Sequence, residues 1–229
     1  MFKQNSVSIY KDSYDFWIFD LDNTLYDINL GVFKKISNRI TKFIVDEFQL
    51  NEDKAKILQR EMYLKYGLTL RGLIIEKKIN PDKFLDFVHD VDHPELKTDN
   101  ELISLLKNLS GKKCIYTNAP YSHAKKILTL LGIFDIFDDI LDIKNTDYIP
   151  KPDIASFEIM KRKLGISFEF GKKSIFVEDT LKNLKPAKQI GMSTVWMENK
   201  LNLEEFKKDF SFVDYSFKNV KSFLKFVKY

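Results

Sequence analysis

Two carboxylates one residue apart, Asp20 and Asp22, follow the apolar run Phe16-Trp17-Ile18-Phe19. A short apolar run of that kind reads as a strand buried in a parallel sheet. Burying a strand does not call for two acids at its end. On an extended chain, residues two apart point the same way, so the two carboxylates should meet just past the strand's carboxyl end. In open α/β sheets that is where ligands bind. Like charges held this close repel unless a cation sits beside them. A divalent metal and a lysine would both serve. Three further pairs stand at predicted strand ends or in the loops after them: Thr117-Asn118, Lys151-Pro152 and Glu178-Asp179. Taken singly, each has an ordinary explanation as a turn, an exposed loop lysine or an acidic helix start. Taken together, they supply carboxylates for a metal, a hydroxyl and an amide for an oxyanion, and a lysine to balance the charge.

The elements that must position these groups alternate. Strands are predicted at Asp15–Asp20, Lys113–Thr117, Ile140–Ile143, Ser174–Glu178, Ser193–Trp196 and Asp214–Phe217. Helices are predicted at Asp99–Leu109, Ser122–Leu131, Ile154–Leu164, Leu181–Gln189 and Val220–Val227. This order argues a doubly wound parallel, Rossmann-like α/β sheet. Between Tyr26 and Pro94 the pattern is helical only. Apolar residues recur at helical spacing from Asn29 to Gln49, and helices follow at Glu52–Tyr66, Leu70–Lys78 and Asp82–Val91. The expected division is therefore a core of residues 1–26 and 95–229 with an all-helical cap at 27–94. Residues 1–14 read as a short frayed lead-in. The lysine pairs 112–113, 125–126 and 172–173 read as solvated faces.

Composition narrows the classes. The chain has 229 residues, 44% of them hydrophobic and 20 of them Phe, which is ample for a core. Its net charge of +4 comes from 37 basic and 33 acidic residues. Only four of the basic residues are Arg and no long basic block occurs, so a nucleic-acid partner is not expected. The single Cys114 sits in an apolar run and reads as a small core residue. No stretch approaches the roughly 18–20 apolar residues of a membrane span. The start of the chain lacks the apolar segment of a signal peptide. A soluble, reducing, cytoplasmic setting is the expectation.

The four motifs, in this chain order, resemble the haloacid dehalogenase superfamily of phosphotransferases. Asp20-Leu21-Asp22-Asn23-Thr24 looks like its first motif, Thr117 its second, Lys151 its third and Glu178-Asp179 its fourth. The likeness covers nearly the whole chain, helical cap included. Dehalogenases lack the second acid of the first motif; the presence of Asp22 points to phosphate esters. Asn183 stands where many members carry a further Asp, which looks like the variant fourth motif of pyrimidine 5′-nucleotidase-like members. Tyr66 to Leu73, Phe87-Val88-His89, His123-Ala124 and Leu131-Gly132-Ile133 are similar to that branch. Leu68 and Ala119 depart from its commoner Thr and Gly.

The resemblance implies a Mg²⁺-dependent phosphate monoester hydrolase. Asp20 would be the nucleophile and Asp22 the general acid and base. Thr117, Asn118 and Lys151 would bind phosphate. Mg²⁺ would be held by Asp20, the Asp22 backbone carbonyl and Asp179, with Glu178 either a further ligand or an anchor. Tyr66 and Arg71 are the expected cap residues facing substrate. His89 and His123 read as packing or structural residues and His93 as hinge surface. The expected partner is a small phosphorylated metabolite, first a pyrimidine nucleoside 5′-monophosphate, with the protein a monomer or homodimer. Alternatives are a phosphatase of a sugar phosphate or flavin mononucleotide, a phosphomutase, or a catalytically silent binding module.

Overall fold

The computed structural model describes residues 8–167, 173–198 and 210–228. The first half of the lead-in and Lys172 lie outside the described residues. Among the described residues, six strands form one sheet: β1 (Phe16–Phe19), β2 (Lys112–Tyr116), β3 (Asp139–Leu141), β4 (Ser174–Glu178), β5 (Ser193–Met197) and β6 (Tyr215–Phe217). Their order is β3-β2-β1-β4-β5-β6, and every neighbouring pair is parallel. The doubly wound sheet expected from the alternation is the one observed. After β1 the chain builds outward through β2 and β3, then returns to add β4 on the other side of β1. The strand order therefore reverses beside β1, which opens a crevice at the carboxyl ends there.

Side-chain alternation explains why β1 reads as continuously apolar. Trp17 and Phe19 enter one buried layer with Ile115, Ile175 and Val177. Ile18 enters the opposite layer with Cys114, Tyr116 and Phe176. Both faces are covered, so neither can be polar. Cys114 is buried, as its surroundings suggested, and burial pushes its thiol up to about 12.

Four α-helices lie between β1 and residue 94: α1 (Val32–Phe48), α2 (Glu52–Tyr66), α3 (Thr69–Lys77) and α4 (Pro81–His89). Their ends follow the local chemistry. The Asn51 side chain accepts from Lys54 N, and Asn80 caps α4 ahead of Pro81. Gly67, at φ 76°, ends α2 in the left-handed region. These helices share an apolar cluster distinct from the two that cover the sheet, built on Phe43, Ile44, Met62, Leu70, Leu73, Phe84, Leu85 and Val88. Gly72 lets α3 approach α2 closely: a Cβ there would lie 2.7 Å from Met62 Cβ.

Among the described residues, the further α-helices are α5 (Asn100–Lys107), α6 (Tyr121–Leu131), α7 (Ile154–Lys163), α8 (Leu181–Gln189) and α9 (Val220–Phe226). The return from α4 is gripped from both sides. Lys126 Nζ donates to Val91 O at 2.6 Å, and Lys35 Nζ reaches Asp92 O and Glu95 Oε2 at 3.2 and 2.7 Å. His93 is not hinge surface. Its ring is buried against His123, 5.6 Å between centroids, and its Nδ1 lies 3.5 Å from Glu95 Oε1. A polar residue beside a proline looked exposed in the sequence, but the folding-back of the return segment covers it.

Candidate active site

Register brings the motif residues together. Phe19 pairs with Ile115 on one side and Val177 on the other, so β1, β2 and β4 end at nearly one level. Asp20, Thr117 and Glu178-Asp179 sit at those ends. Lys151 arrives from the loop after β3 and joins Pro152 through a cis peptide bond. Its Nζ donates to Asp20 Oδ1 at 2.7 Å, Glu178 Oε2 at 2.8 Å and Tyr116 O at 2.9 Å. All three of its protons are thus used. Beneath the ammonium lie the rings of Tyr116 and Phe176, with centroids at 5.2 and 5.3 Å. Burial alone would pull the Lys151 ammonium down. Asp20 and Glu178 outweigh it and hold the pKa above the ordinary lysine value.

Asp20 is buried, with Thr24 Oγ1 donating to its Oδ2 at 3.0 Å. Burial, then the charge of Glu178, pushes its carboxyl well above the usual range, against the pull of Lys151. Asp22 behaves oppositely. Burial would raise it, but the charge and hydrogen bond of His123 and the bond from Tyr26 hold it down at about 2. Tyr26 OH donates to Asp22 Oδ1 at 2.6 Å, and His123 Nε2 meets the same oxygen at 2.8 Å.

Asp20, Glu178 and Asp179 each place a carboxylate oxygen within 4.8 Å of the others. Three buried acids face one lysine, so the cluster carries surplus negative charge. The donors are all oxygen, and the buried Asn183 Oδ1 beside them has no hydrogen-bond partner. This set fits Mg²⁺ with some waters retained. Backbone bonds fix the acids: Asp20 N donates to Val177 O, and Trp196 Nε1 donates to Asp179 O, both at 2.9 Å.

Thr117 Oγ1 accepts from Ala119 N at 3.0 Å, which starts the turn after β2. Asn118 spends its side chain on the lysine loop. Its Oδ1 accepts from Lys151 N at 2.9 Å, and its Nδ2 donates to Lys151 O at 3.2 Å.

Above the acids lies a cleft of about 670 Å³. Its floor includes Asp20, Asp22, Thr117, Asn118, Lys151 and Asp179. On the helical side, Lys56, Gln59, Arg60 and Tyr63 of α2 line it. Lys182 of α8 reaches across, its Nζ 2.7 Å from Tyr63 OH and 4.0 Å from the ring centre. Tyr66 and Arg71 do not line the cleft. Tyr66 OH instead donates to Glu76 Oε1 at 2.9 Å within the helical layer. The α2 face turned to the core carries Lys56, Arg60 and Tyr63, positions one helical repeat earlier. The sequence pattern missed His123 and Tyr26 as partners of Asp22. Tyr26 had a signal, since it follows Asp22 by the same four residues that separate Thr24 from Asp20.

Residues 17–191 match the family model of haloacid dehalogenase-like hydrolases. The chain is 32% identical over 196 residues to Phosphate metabolism protein 8 of Saccharomyces cerevisiae, covering 78% of this chain and 60% of that protein. It is 27% identical over 194 residues to the glyceraldehyde 3-phosphate phosphatase of Methanocaldococcus jannaschii, covering 78% and 82%. The magnesium-bound HAD-hydrolase YfnB of Bacillus subtilis shares the fold, with a TM-score of 0.59 at 16% identity over 94% of this chain and 99% of that one. Among the described residues, no helix is long and apolar enough to cross a membrane.

Proposed function

The chain belongs to the haloacid dehalogenase-like hydrolases, and from that premise we propose that it hydrolyses phosphate monoesters with Mg²⁺ through an aspartyl-phosphate on Asp20. One observation carries the reading. A buried carboxylate at the end of β1 is held by Lys151 and Thr24 on the floor of a cleft, with Glu178 and Asp179 beside it. Asp20, Asp179 and the Asp22 backbone carbonyl would hold the metal. Glu178, already bound to Lys151, would serve as a further ligand or as the anchor of that lysine. When bound, Mg²⁺ supplies positive charge against the carboxylates and the phosphoryl oxygens.

Asp20 attacks phosphorus and the ester oxygen departs with a proton from Asp22. Asp22 then takes a proton from the water that cleaves the acyl phosphate. Held low by His123 and Tyr26, Asp22 is ionised before an ester binds. A dianionic ester drawn beside it pushes its carboxyl back up, which favours the protonated form that the first step needs. Lys151 and Thr117 stabilise charge on the transferring group. Asn118 acts on the phosphate indirectly, by fixing the Lys151 backbone. Residues 27–94 act as a cap over residues 1–26 and 95–229, excluding water during transfer.

The substrate is read as a nucleoside 5′-monophosphate, with a pyrimidine base first. Support comes from the likeness of 66–73, 87–89 and 123–124 to that branch. A small sugar phosphate is the second reading, favoured by the archaeal relative's name. Phosphate release from UMP, CMP, AMP, glyceraldehyde 3-phosphate and glucose 6-phosphate with Mg²⁺ separates them. Asp20→Asn should abolish release while leaving the fold intact. A folded variant with near-normal turnover would refute the mechanism.

A further inference from the structure

Asp22 has two carboxylate oxygens, and both of its side-chain hydrogen bonds in the described structure end on one of them. Tyr26 OH reaches Oδ1 at 2.6 Å from the loop after β1. His123 Nε2 reaches the same atom at 2.8 Å from the first turn of α6, 101 residues away. Turning the carboxyl group would break both bonds, so Oδ2 is the oxygen left for proton exchange. We propose that His123 is the positioning residue of Asp22: with Tyr26 it clamps Oδ1 and presents Oδ2 to the leaving group and then to water. This rests on the reading of Asp22 as acid and base.

Simple packing does not account for His123. Its side chain is fully buried, and its Nδ1 has no hydrogen-bond partner. A leucine would fill such a place without leaving a buried ring nitrogen unsatisfied. The ring is also fixed in direction. His89 of α4 lies 4.9 Å away between centroids and His93 of the return segment 5.6 Å away. His89 Nδ1 is itself turned to Leu85 O, at 2.9 Å. All three histidines of the chain therefore meet at one point, where the helical layer returns to the sheet layer. The only one that touches a motif carboxylate among the described residues is His123.

The test compares two esters with Mg²⁺ present. Propyl phosphate has a poor leaving group and needs an acid; p-nitrophenyl phosphate scarcely does. In His123→Leu, kcat for propyl phosphate should fall by roughly 10²-fold with KM within about threefold. With p-nitrophenyl phosphate the same variant should keep a burst of one nitrophenolate per site, followed by slowed turnover, because attack survives and water activation does not. His123→Gln, which places an amide N–H near the lost donor, should recover part of the rate. Tyr26→Phe should show the same leaving-group dependence more weakly. Loss of the nitrophenolate burst in step with propyl phosphate turnover, or unchanged kinetics on both esters, in His123→Gln and Tyr26→Phe would overturn the proposal; these two variants decide the matter if His123→Leu does not fold. A wild-type protein that hydrolyses neither ester nor any nucleotide would instead refute the phosphatase reading itself.

Discussion

Lys151 Nζ lies 2.7 Å from Asp20 Oδ1, although 131 residues separate them in the chain. The pair is buried, and Glu178 closes the other side at 2.8 Å. Removing the ammonium would leave the buried carboxylates of Asp20 and Glu178 without their counter-charge. Lys151→Met keeps apolar contact with Tyr116 and Phe176 but removes the charge. It should destabilise the metal-free protein by roughly 3–5 kcal/mol. Urea unfolding with and without Mg²⁺ checks this, and the deficit should shrink when the cation is added.

Asp20 predicts a pH dependence of metal binding. Its folded pKa is raised, chiefly by burial and then by Glu178. A raised carboxyl contributes stability at acid pH, below its unfolded value, and loses that contribution as pH rises through the folded value. Mg²⁺ needs the ionised form. Metal-free protein should therefore lose melting temperature between about pH 4 and pH 7 from this group, and the stabilisation by Mg²⁺ should grow over the same interval. Thermal melts at a series of pH values measure both. A Mg²⁺ shift that is constant with pH would contradict the assignment of Asp20 as ligand.

The cleft lining separates two arginines. Arg60 lines the cleft and Arg71 does not. Arg71→Ala should leave kcat and KM within about twofold for every nucleotide tested. Arg60→Ala should raise KM by roughly tenfold, as loss of one charged contact to an anionic substrate would. Steady-state kinetics on UMP and CMP decide between them.

Gly72 offers a test of the helical layer. A methyl group there meets Met62 Cβ and Sδ at 2.7 Å and the Tyr66 ring at 2.8 Å. Overpacking of this kind costs about 1–3 kcal/mol. Gly72→Ala should lower stability by that amount, because α2 and α3 must separate. Since α2 also carries the cleft residues, KM should rise with it. Chemical denaturation alongside kinetics shows whether the two changes travel together.

The strand ends were legible in the sequence because a buried parallel strand has only one place for a charge, its terminus. Asp20, Thr117 and Glu178 therefore declared themselves. The inserted helices were also legible, from the periodicity of their apolar residues. The angle at which those helices sit over the sheet is set by packing between distant segments. That is why Tyr66 and Arg71 were expected at the cleft and Arg60 and Tyr63 line it. His123 was obscured for a related reason. On the apolar face of α6 a histidine resembles a core filler, and its partner lies across the fold.

Asn118 ties the end of β2 to the lysine loop with one bond in each direction. Two segments that meet only through folding are thereby locked at a set distance before any ligand arrives. The ammonium needs no rearrangement at the moment of reaction. Its electrostatic work is built in when the chain folds rather than repeated in every catalytic cycle. Shortening the tether in Asn118→Ala would leave each motif residue in place chemically, yet return that reorganisation to the barrier of the reaction.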